Sequence, residues 1–334
     1  MWQERKTLVA AGIGASLLVY YLFKYFKRKT QSDLIPIGIV KELYVYPIKS
    51  CKGINVFSFF CHPLGPVSGE NFDRFFVVID GKTGRFYTAR QKPVMVTIEC
   101  SVADNKLTVS SPEGNRATID IESVRQRNLV KTALLHSNLR TDGLDCGDEA
   151  AKFFADALQE PDARLLMYNE GLFTERTCVP HPDWWNNNVP KRADDNAYAD
   201  LSPYMLTTQA SLESLNTHLE QDVSTSNFRP NIVVDGCPAW DEDKWIVVKI
   251  GETKLQCFKP CTRCVLTTVD PKTGRKDKDM QPLKKLREFR LAPPGPMREQ
   301  HRDKPIFGVN AGVDKPGHIH VGQTVYVRYK KSAF

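Results

Sequence analysis

The sequence predicts an α+β protein that is predominantly β and that follows a single N-terminal membrane anchor helix. Two observations predict it. Short segments rich in β-branched and aromatic residues recur between turn residues, whereas helical periodicity is confined to three short segments. Near the N-terminus, residues 8–23 form a run of sixteen residues without a charge, which approaches the length that spans a bilayer.

The N-terminal segment, residues 1–30, is interpreted as an uncleaved signal anchor. Its apolar part continues past Lys24 to Phe26, so residues 8–26 form the membrane contact. The run ends in YYLFKYFKRK rather than in the small residues of a signal-peptide cleavage site. The basic residues after the segment place the body in the cytosol by the positive-inside bias. A short anchor with a basic C-terminal flank suits the mitochondrial outer membrane, with the endoplasmic reticulum as the alternative.

Residues 31–175 are predicted to form a β-rich N-terminal domain. Alternating or continuous apolar segments are joined there by the turns GKTG, DN and PEGN, which is typical of hairpins. One helix is expected over residues 148–158, because acids occupy its first turn and its apolar residues fall on one face. The predicted strands are residues 37–50, 75–80, 85–90, 94–103, 106–111 and 116–121.

Residues 176–334 are predicted to form a second β-rich domain. A loop over residues 169–200 leads into it, either as a functional lid or as an excursion packed down by Trp184 and Trp185. Helices are expected at 211–220, with Ser211 as the N-cap, and at 282–289. The predicted strands are residues 202–208, 231–236, 244–250, 254–258, 264–270 and 320–329.

Charge and cysteine content exclude two classes of protein. Of the net charge of +7, residues 1–30 supply +5, so the remaining 304 residues hold 40 basic against 38 acidic side chains. A surface that tracks nucleic-acid phosphates needs a larger cationic excess, so no nucleic-acid binding is expected. Nine irregularly spaced cysteines favour a reducing compartment over a secreted disulfide framework.

The segment CFKPCTRC places Cys257, Cys261 and Cys264 within eight residues. This spacing resembles a radical-SAM iron–sulfur motif, but only 70 residues follow it, too few for the barrel of those enzymes. Structural zinc would need a fourth ligand. A third interpretation is a single thiolate on a soft or redox-active metal, with Cys264 next to Arg263 as the thiolate. Possible fourth ligands of a zinc site are Cys237, His318 and His320.

Six motifs in order resemble those of the MOSC-domain molybdenum-cofactor family, in particular its membrane-anchored amidoxime-reducing members. The resemblance covers residues 37–330 and implies a MOSC-type β-barrel domain preceded by a β-rich MOSC N-terminal domain. The motifs are YPIKSCKG (46–53), NFDRFF (71–76), YTARQ (87–91), SNFRPNIVV (226–234), CTRCVLTTVDP (261–271) and the terminal pair IFGVN (306–310) and HVGQTVYV (320–327).

The resemblance implies site residues one by one. Cys264 matches the family's molybdenum ligand and catalytic thiol, Cys261 is its neighbour, and Cys257 has no counterpart. Other matched positions would bind the molybdenum cofactor, Mo-molybdopterin, because guanidinium groups pair bidentately with its phosphate. Asn310 stands where the family has a tyrosine. The implied cofactor-binding residues are Lys49, Ser50, Arg74, Arg90, Ser202, Arg229, Asn231, Thr262, Arg263 and Asn310.

The implied activity is a two-electron reduction that removes oxygen from amidoximes, hydroxylamines or N-hydroxyguanidines. No G-x-G-x-x-G follows a strand, so electrons must come from partners, which the resemblance implies are cytochrome b5 and its NADH-dependent reductase. Residues 270–290 hold eight basic and four acidic residues and form a candidate cytochrome b5 surface or a merely solvated face. The alternative functions are a molybdenum-cofactor or sulfur carrier and a membrane-tethered zinc module.

Overall fold

The computed structural model describes residues 34–135, 138–175, 177–178, 192–331 and 333. Within these ranges the chain is predominantly β with a few short helices, which confirms the predicted predominance of β structure. Residues 8–26 and the tryptophans at 184 and 185 lie outside the described residues. No helix of the described part is long and apolar enough to cross a membrane.

The strands are short and spread along the described chain. In chain order they are β1 (Ile35–Val45), β2 (Ile54–Val56), β3 (Ser58–His62), β4 (Gly65–Ser68), β5 (Asn71–Phe72), β6 (Phe76–Asp80), β7 (Glu99–Ala103), β8 (Lys106–Ser110), β9 (Arg116–Asp120), β10 (Val130–Leu134), β11 (Arg140–Asp145), β12 (Ala163–Met167), β13 (Thr177–Cys178), β14 (Asp194–Asp195), β15 (Tyr204–Thr208), β16 (Ile232–Asp235), β17 (Trp245–Ile250), β18 (Thr253–Thr262), β19 (Ile306–Lys315), β20 (Gly317–His320) and β21 (Thr324–Tyr329).

Five α-helices are described. They are α1 (Ile121–Arg127), α2 (Asp148–Leu158), α3 (Gln209–Asn216), α4 (Leu283–Phe289) and α5 (Pro296–His301). The bounds of α2 match the predicted helix, and its buried side chains include Phe153, Phe154 and Leu158 as expected. The helix predicted at 282–289 is α4, which starts one residue later because Pro282 occupies its N-cap.

Seven strands close into a barrel. Their order is β16, β15, β19, β18, β17, β21 and β1, and β1 pairs back onto β16, while β2 extends β1 on the outside. Strand β1, from the start of the described chain, therefore completes a barrel made of C-terminal strands. Its bulge between Val40 and Glu42 changes the register in the pairing with β16. Apolar side chains such as Leu206, Val248 and Val325 fill the barrel core.

The N-terminal half builds a second core beside the barrel. It has a four-stranded sheet in the order β10, β11, β12, β6 and a three-stranded meander of β7, β8 and β9. Helix α2 packs Phe153 and Phe154 into the same core as Leu107 and Ile119 of the meander. A third sheet, in the order β20, β3, β4, β5, joins a C-terminal strand to N-terminal ones. The two halves are thus tied by shared sheets.

Three predicted strand segments are corrected by the structure. Residues 93–97 form a 3-10 helix that begins at Pro93, whose fixed φ favours that start, and β7 follows only at Glu99. Residues 85–90 make isolated bridges at Arg85 and Phe86 before a turn at Thr88. Residues 265–268 form another 3-10 helix rather than a strand, which is described with the site below.

The predicted N-cap Ser211 is wrong. Helix α3 begins three residues earlier than that cap would allow, and Thr208 is the N-cap, with a hydroxyl that accepts from the Ser211 N–H at 3.1 Å. The Ser211 hydroxyl is buried instead and donates to Glu242 at 2.8 Å. Both residues are good caps by type, and the Thr208 hydroxyl also reaches Glu242 at 3.1 Å, so residue type alone could not identify the cap.

Candidate functional site

The cysteine loop starts at the end of β18. Strand pairing between β18 and β19 extends to Thr262, whose Cα faces Ile306, and the Arg263 N–H donates to Pro305 O at 2.8 Å. Cys264 is the N-cap of the following 3-10 helix, Val265–Thr268, and its carbonyl accepts from the Thr267 hydroxyl at 2.9 Å. Such local side-chain bonds compete with strand pairing, so Cys264 precedes a helical turn rather than the predicted strand.

The three cysteines of the loop point into different surroundings. Cys257 is buried in the barrel core, and burial raises the pKa of its thiol to about 12. Cys261 packs beside an apolar cluster that includes Phe307, and burial raises its pKa as well. Cys264 is half-buried. Within the described residues no group of three His, Cys, Asp or Glu side chains could hold a metal ion.

A second part of the site is the Tyr46 cluster, which we define as Tyr46, Asp73, Arg74, Arg229 and Asn231. The guanidinium carbons of Arg74 and Arg229 lie 4.8 and 4.3 Å from the centre of the Tyr46 ring. Arg74 forms an ion pair with the buried Asp73. Asp73 also accepts from the Tyr46 N–H at 2.9 Å and from the Asn231 amide at 3.0 Å. Motifs distant in sequence therefore meet on one tyrosine.

Backbone conformation contributes to the cluster. Arg74 and Arg229 both adopt left-handed φ values, 53° and 55°, and Ser50 does so at 71°. Such values are uncommon for residues other than glycine. The Tyr46 ring is seated against Gly53, where an added Cβ would lie 2.4 Å from a ring carbon. The YPIKSCKG motif therefore needs its glycine for packing as well as its polar residues for binding.

The Tyr46 cluster holds two cations against one carboxylate. The Arg229 Nη2 atom is buried and has no hydrogen-bond partner in the described structure. Burial lowers the pKa of Arg229, and the positive charge of Arg74 acts in the same direction. Burial also lowers the pKa of Arg74, but the Asp73 carboxylate outweighs it and the net shift is upward. An anion at Arg229 would satisfy both the unpaired donor and the excess charge.

Lys49 connects the Tyr46 cluster to the segment of residues 198–200. Its buried Nζ donates to Tyr198 O at 2.7 Å and forms an ion pair with Asp200, while the Tyr198 N–H donates to Arg74 O at 3.1 Å. The negative charge of Asp200 acts on Arg74 and on the Cys261 thiol, for which burial is the main cause of the raised pKa. Asp200 therefore lies within electrostatic reach of both regions.

The polar atoms of other predicted binding residues form hydrogen bonds within the protein. Asn231 donates to Asp73 and Tyr44 O, and its carbonyl accepts from the Met205 N–H at 3.2 Å. Ser202 donates to Tyr204 O at 2.7 Å and lies 3.0 Å from the Asn310 carbonyl oxygen. These side chains shape the site through the backbone they hold.

The guanidinium group of Arg263 also forms its hydrogen bonds within the protein. Its guanidinium donates to Phe307 O through Nε at 2.8 Å and to Phe228 O through Nη1 at 2.9 Å. We call Arg263 with Met205, Phe228 and Phe307 the Arg263 cluster, in which the two phenyl rings stack at 3.9 Å. Although Arg263 precedes Cys264, its side chain points into this core rather than towards the thiol's solvent side.

Arg90 lies apart from the Tyr46 cluster. It lines a cavity of about 430 Å³ with Arg85, Phe86 and Gln91, and no residue of the Tyr46 cluster lines that cavity. The Lys49 Nζ lies 5.5 Å from the centre of the Phe86 ring. Thr262, the other predicted residue, is half-buried at the end of β18.

A cavity of about 260 Å³ opens beside Arg229. Tyr46, Lys52, Asn227 and Lys272 contribute to its wall together with apolar residues of the 3-10 helix after Cys264. Sequence reasoning missed Tyr46, Asp73, Tyr198 and Asp200 as site residues. A signal exists for two of them, since Tyr46 begins YPIKS and Asp73 precedes Arg74 in NFDRFF.

The donor set fits a phosphate-bearing cofactor. The unpaired Arg229 Nη2, the second guanidinium of Arg74 and the buried Lys49 supply positive charge, and Cys264 supplies a half-buried thiol. Arginine forks match phosphate oxygens, and thiolates bind soft metals. The residues present are therefore of the types that a metal-bound pterin phosphate requires.

Two family descriptions match the chain. Residues 37–161 match the MOSC N-terminal beta barrel domain, and residues 193–326 match the MOSC domain. Together these matches cover most of the chain, and strand β1, within the first match, pairs into the barrel of the second.

Curated relatives match over almost the whole length. The chain is 35% identical to mitochondrial amidoxime-reducing component 1 of Mus musculus, covering 97% of this chain and 93% of that protein. It is 35% identical to mitochondrial amidoxime reducing component 2 of Homo sapiens, with 97% and 94% covered. For component 2 of Macaca fascicularis the identity is 37%, with 94% and 91% covered.

Proposed function

The chain belongs to the MOSC-domain family of amidoxime-reducing components, and from this premise we propose that it is a molybdenum-cofactor-dependent reductase of N-hydroxylated compounds. Its substrates are amidoximes, hydroxylamines and N-hydroxyguanidines. The observation that carries the proposal is the Tyr46 cluster, with its unpaired Arg229 donor and the buried Lys49 beside it, in a chain that also carries the cysteine loop.

The chain's own residues have separate tasks in this proposal. Cys264 is the metal ligand, because it is half-buried at a loop end, whereas Cys257 is buried in the barrel core and Cys261 packs beside an apolar cluster. Arg229 and Arg74 bind the pterin phosphate, and Lys49 with Ser50 lines the edge between them and the thiol. When bound, the cofactor supplies the two-electron redox chemistry that no side chain can provide.

The overall reaction balances when an external donor supplies two electrons and solvent supplies two protons. The N–O bond of the substrate breaks, two electrons and two protons are taken up, and the products are an amidine, amine or guanidine and one water. Four further residues position the site, because their hydrogen bonds hold the strands that carry the binding residues. They are Asn231, Ser202, Asn310 and Arg263. Preorganised charge of this kind costs no rearrangement during the reaction.

Metal and pterin content test this function directly. We expect near-stoichiometric molybdenum, with fluorescent oxidised pterin, in the purified full-length chain and benzamidoxime reduction when reduced methyl viologen supplies the electrons. Cys264→Ala should lose the molybdenum and the activity, whereas the matched variant Cys261→Ala should keep both. Stoichiometric zinc or iron without pterin would refute the proposal.

The electron donors in this proposal are cytochrome b5 and NADH-cytochrome b5 reductase. Residues 270–290 follow the cysteine loop and include exposed cations, although Lys285 pairs with Glu288 at 2.6 Å and Arg287 with Asp303 at 2.9 Å. A cationic surface beside the redox centre suits an acidic donor and makes encounter sensitive to salt.

A triple variant tests the docking surface. Changing Lys284, Lys285 and Arg287 to Gln should slow turnover driven by cytochrome b5 and flatten its salt dependence, while viologen-driven turnover stays unchanged. The matched control changes three exposed cations of the N-terminal half, Lys106, Arg116 and Lys152. Equal behaviour of the two triple variants would rule out this surface.

The location in this proposal is the mitochondrial outer membrane, with the catalytic body facing the cytosol. The relatives' names supply the organelle. The uncharged run at residues 8–23 and the basic residues after it supply the anchor and its orientation. Fluorescence of a C-terminally tagged chain, combined with protease protection of isolated mitochondria, tests both parts.

A further inference from the structure

The small sheet of β20, β3, β4 and β5 has an uncharged outer face. None of its four strands contains a Lys, Arg, Asp or Glu residue. Its inner side chains, such as Phe59 and Ile319, are buried against the barrel core. Its outer side chains include Phe60 and two exposed histidines, and His318 lies 5.0 Å from the Phe60 ring. Uncharged faces of this kind are uncommon on a soluble surface.

Phe57, at the start of β3, is the most conspicuous residue of this face. It is 71% exposed, the largest value among the exposed large hydrophobic residues of the described chain. Its ring stacks on His320 at 5.8 Å with an interplanar angle of 11°, so it stands in a defined position. We call Phe57, Phe60, His318 and His320 the aromatic edge.

The aromatic edge lies next to the first strand of the described chain. Phe57 O accepts from the Val321 N–H at 2.9 Å, and the following Gly322 N–H donates to Val40 O at 2.8 Å. Ile39, beside Val40 on β1, is 46% exposed, which extends the apolar surface towards the point where the described chain begins. The edge and the N-terminus of β1 therefore share one side of the molecule.

The length of the preceding chain limits which surface can meet a membrane. From Phe26, the end of the apolar segment, eight residues lead to Leu34, which reach at most about 28 Å when extended. A compact body of roughly 300 residues has a radius of gyration of about 19 Å, hence a diameter of about 50 Å. Only the side that carries the start of β1 can therefore rest on the bilayer.

We infer that the aromatic edge, with Ile39, contacts the lipid bilayer and sets the orientation of the catalytic body on it. The occupant is the interfacial zone of the membrane, where exposed aromatic rings without neighbouring charges are favourable. The cationic stretch of residues 270–290 belongs to other elements and stays available for a protein partner. This inference rests on the proposed anchor and goes beyond the proposed activity.

Depth-dependent quenching tests the inference. The full-length chain is reconstituted into phosphatidylcholine nanodiscs with or without brominated acyl chains, and the emission that Phe57→Trp adds to the wild-type fluorescence is measured. The matched control is Phe173→Trp, since Phe173 is 51% exposed and stacks under Arg140 in the N-terminal half. We expect bromine to quench the emission added at position 57 about twofold and that at position 173 negligibly.

Each other outcome overturns the contact. Equal quenching at the two positions, or none at position 57, would mean that the edge does not touch lipid. If position 57 escapes quenching by bromine only in a species of twice the chain's mass, the edge would instead contact a second copy of the chain. Failure of the chain to enter nanodiscs would refute the anchor together with the contact. Benzamidoxime reduction, measured on the same samples, reports separately on the proposed activity.

Discussion

Arg229 and Arg263 both pack their guanidinium groups against aromatic rings, but they differ in what their N–H groups meet. In the Arg263 cluster the guanidinium N–H groups donate to the backbone carbonyl oxygens of Phe228 and Phe307. In the Tyr46 cluster one Arg229 nitrogen is buried without a partner, and two cations share Asp73. Unpaired donors and uncompensated charge cost stability in the free protein and become favourable when an anion binds. The difference separates a binding arginine from a structural one.

The largest effect expected from this comparison is on folding, at Arg263. Arg263→Met would leave two buried carbonyl oxygens without donors and should lower the free energy of unfolding by about 4 kcal/mol. Urea denaturation followed by circular dichroism measures it. Arg116→Met, at an exposed arginine of β9, serves as the control and should change stability little. If the two variants were equally stable, Arg263 would have no structural role.

The next largest effect is on the pH dependence of stability, and it comes from a buried acid near the Arg263 cluster. Glu242 is fully buried, and burial raises its pKa to about 7 from the ordinary 4.5, with the neighbouring Asp243 adding to the shift. Because the folded state holds this proton more tightly, the stabilisation is complete below about pH 4.5 and is lost as pH rises through 7. The loss is about 3 kcal/mol.

Glu242→Gln should remove that component of the pH dependence. The measurement is the free energy of unfolding between about pH 5 and 8, where the wild type is expected to lose stability and the variant to stay level. Glu213→Gln, at an exposed position of α3, should retain the wild-type slope. A wild-type curve without this slope would show that Glu242 is ionised in the fold.

In the Tyr46 cluster the expected effect is on the cofactor rather than on the fold. Arg229→Gln should reduce bound pterin and molybdenum about tenfold, because a charge-assisted bond to phosphate is lost. The stability of the cofactor-free protein should change by less than about 1 kcal/mol, since the removed nitrogen had no partner. Arg229→Lys should recover part of the cofactor content. Full retention in Arg229→Gln would contradict the assignment.

The smallest effect is expected at Ser202, which belongs to neither the Tyr46 cluster nor the Arg263 cluster. Ser202→Ala removes the bonds to Tyr204 O and to the Asn310 side chain and should cost about 1 kcal/mol of stability. If Ser202 only positions β15 and β19, cofactor content should remain near the wild-type value when measured on folded protein. A selective loss of cofactor at unchanged stability would instead make Ser202 a direct ligand.

Much of the fold followed from the sequence, and the failures have local causes. Helix α2 was predicted residue by residue because its pattern and first-turn acids agree. The segment after Cys264 was misassigned, since Val265 and the threonines have high strand propensity but the Thr267 hydroxyl bonds back to Cys264 O. Ser211 and Thr208 are equivalent as caps by type, and both hydroxyls contact Glu242 in the fold, so no local feature of the sequence distinguishes them.

The site was predicted as a list of residues rather than as an arrangement. Lys49, Arg74 and Arg229 come together as expected of residues that share one ligand, while Arg90 lines a different cavity. The separation of Arg263 from the others was not predictable, because a buried and an exposed arginine look the same in a motif. Only the carbonyls it meets reveal its role.

By itself the sequence determined the predominance of β structure, the apolar run before the body and the family to which the chain belongs. These depend on patterns along neighbouring residues, which local sterics and the burial of apolar faces translate directly into strands, hairpins and short helices. The tertiary structure alone decided that Arg229 keeps an unpaired donor beside Tyr46 and that Arg263 is saturated. The physical reason is that hydrogen-bond satisfaction depends on atoms brought from distant parts of the chain, which no local pattern records.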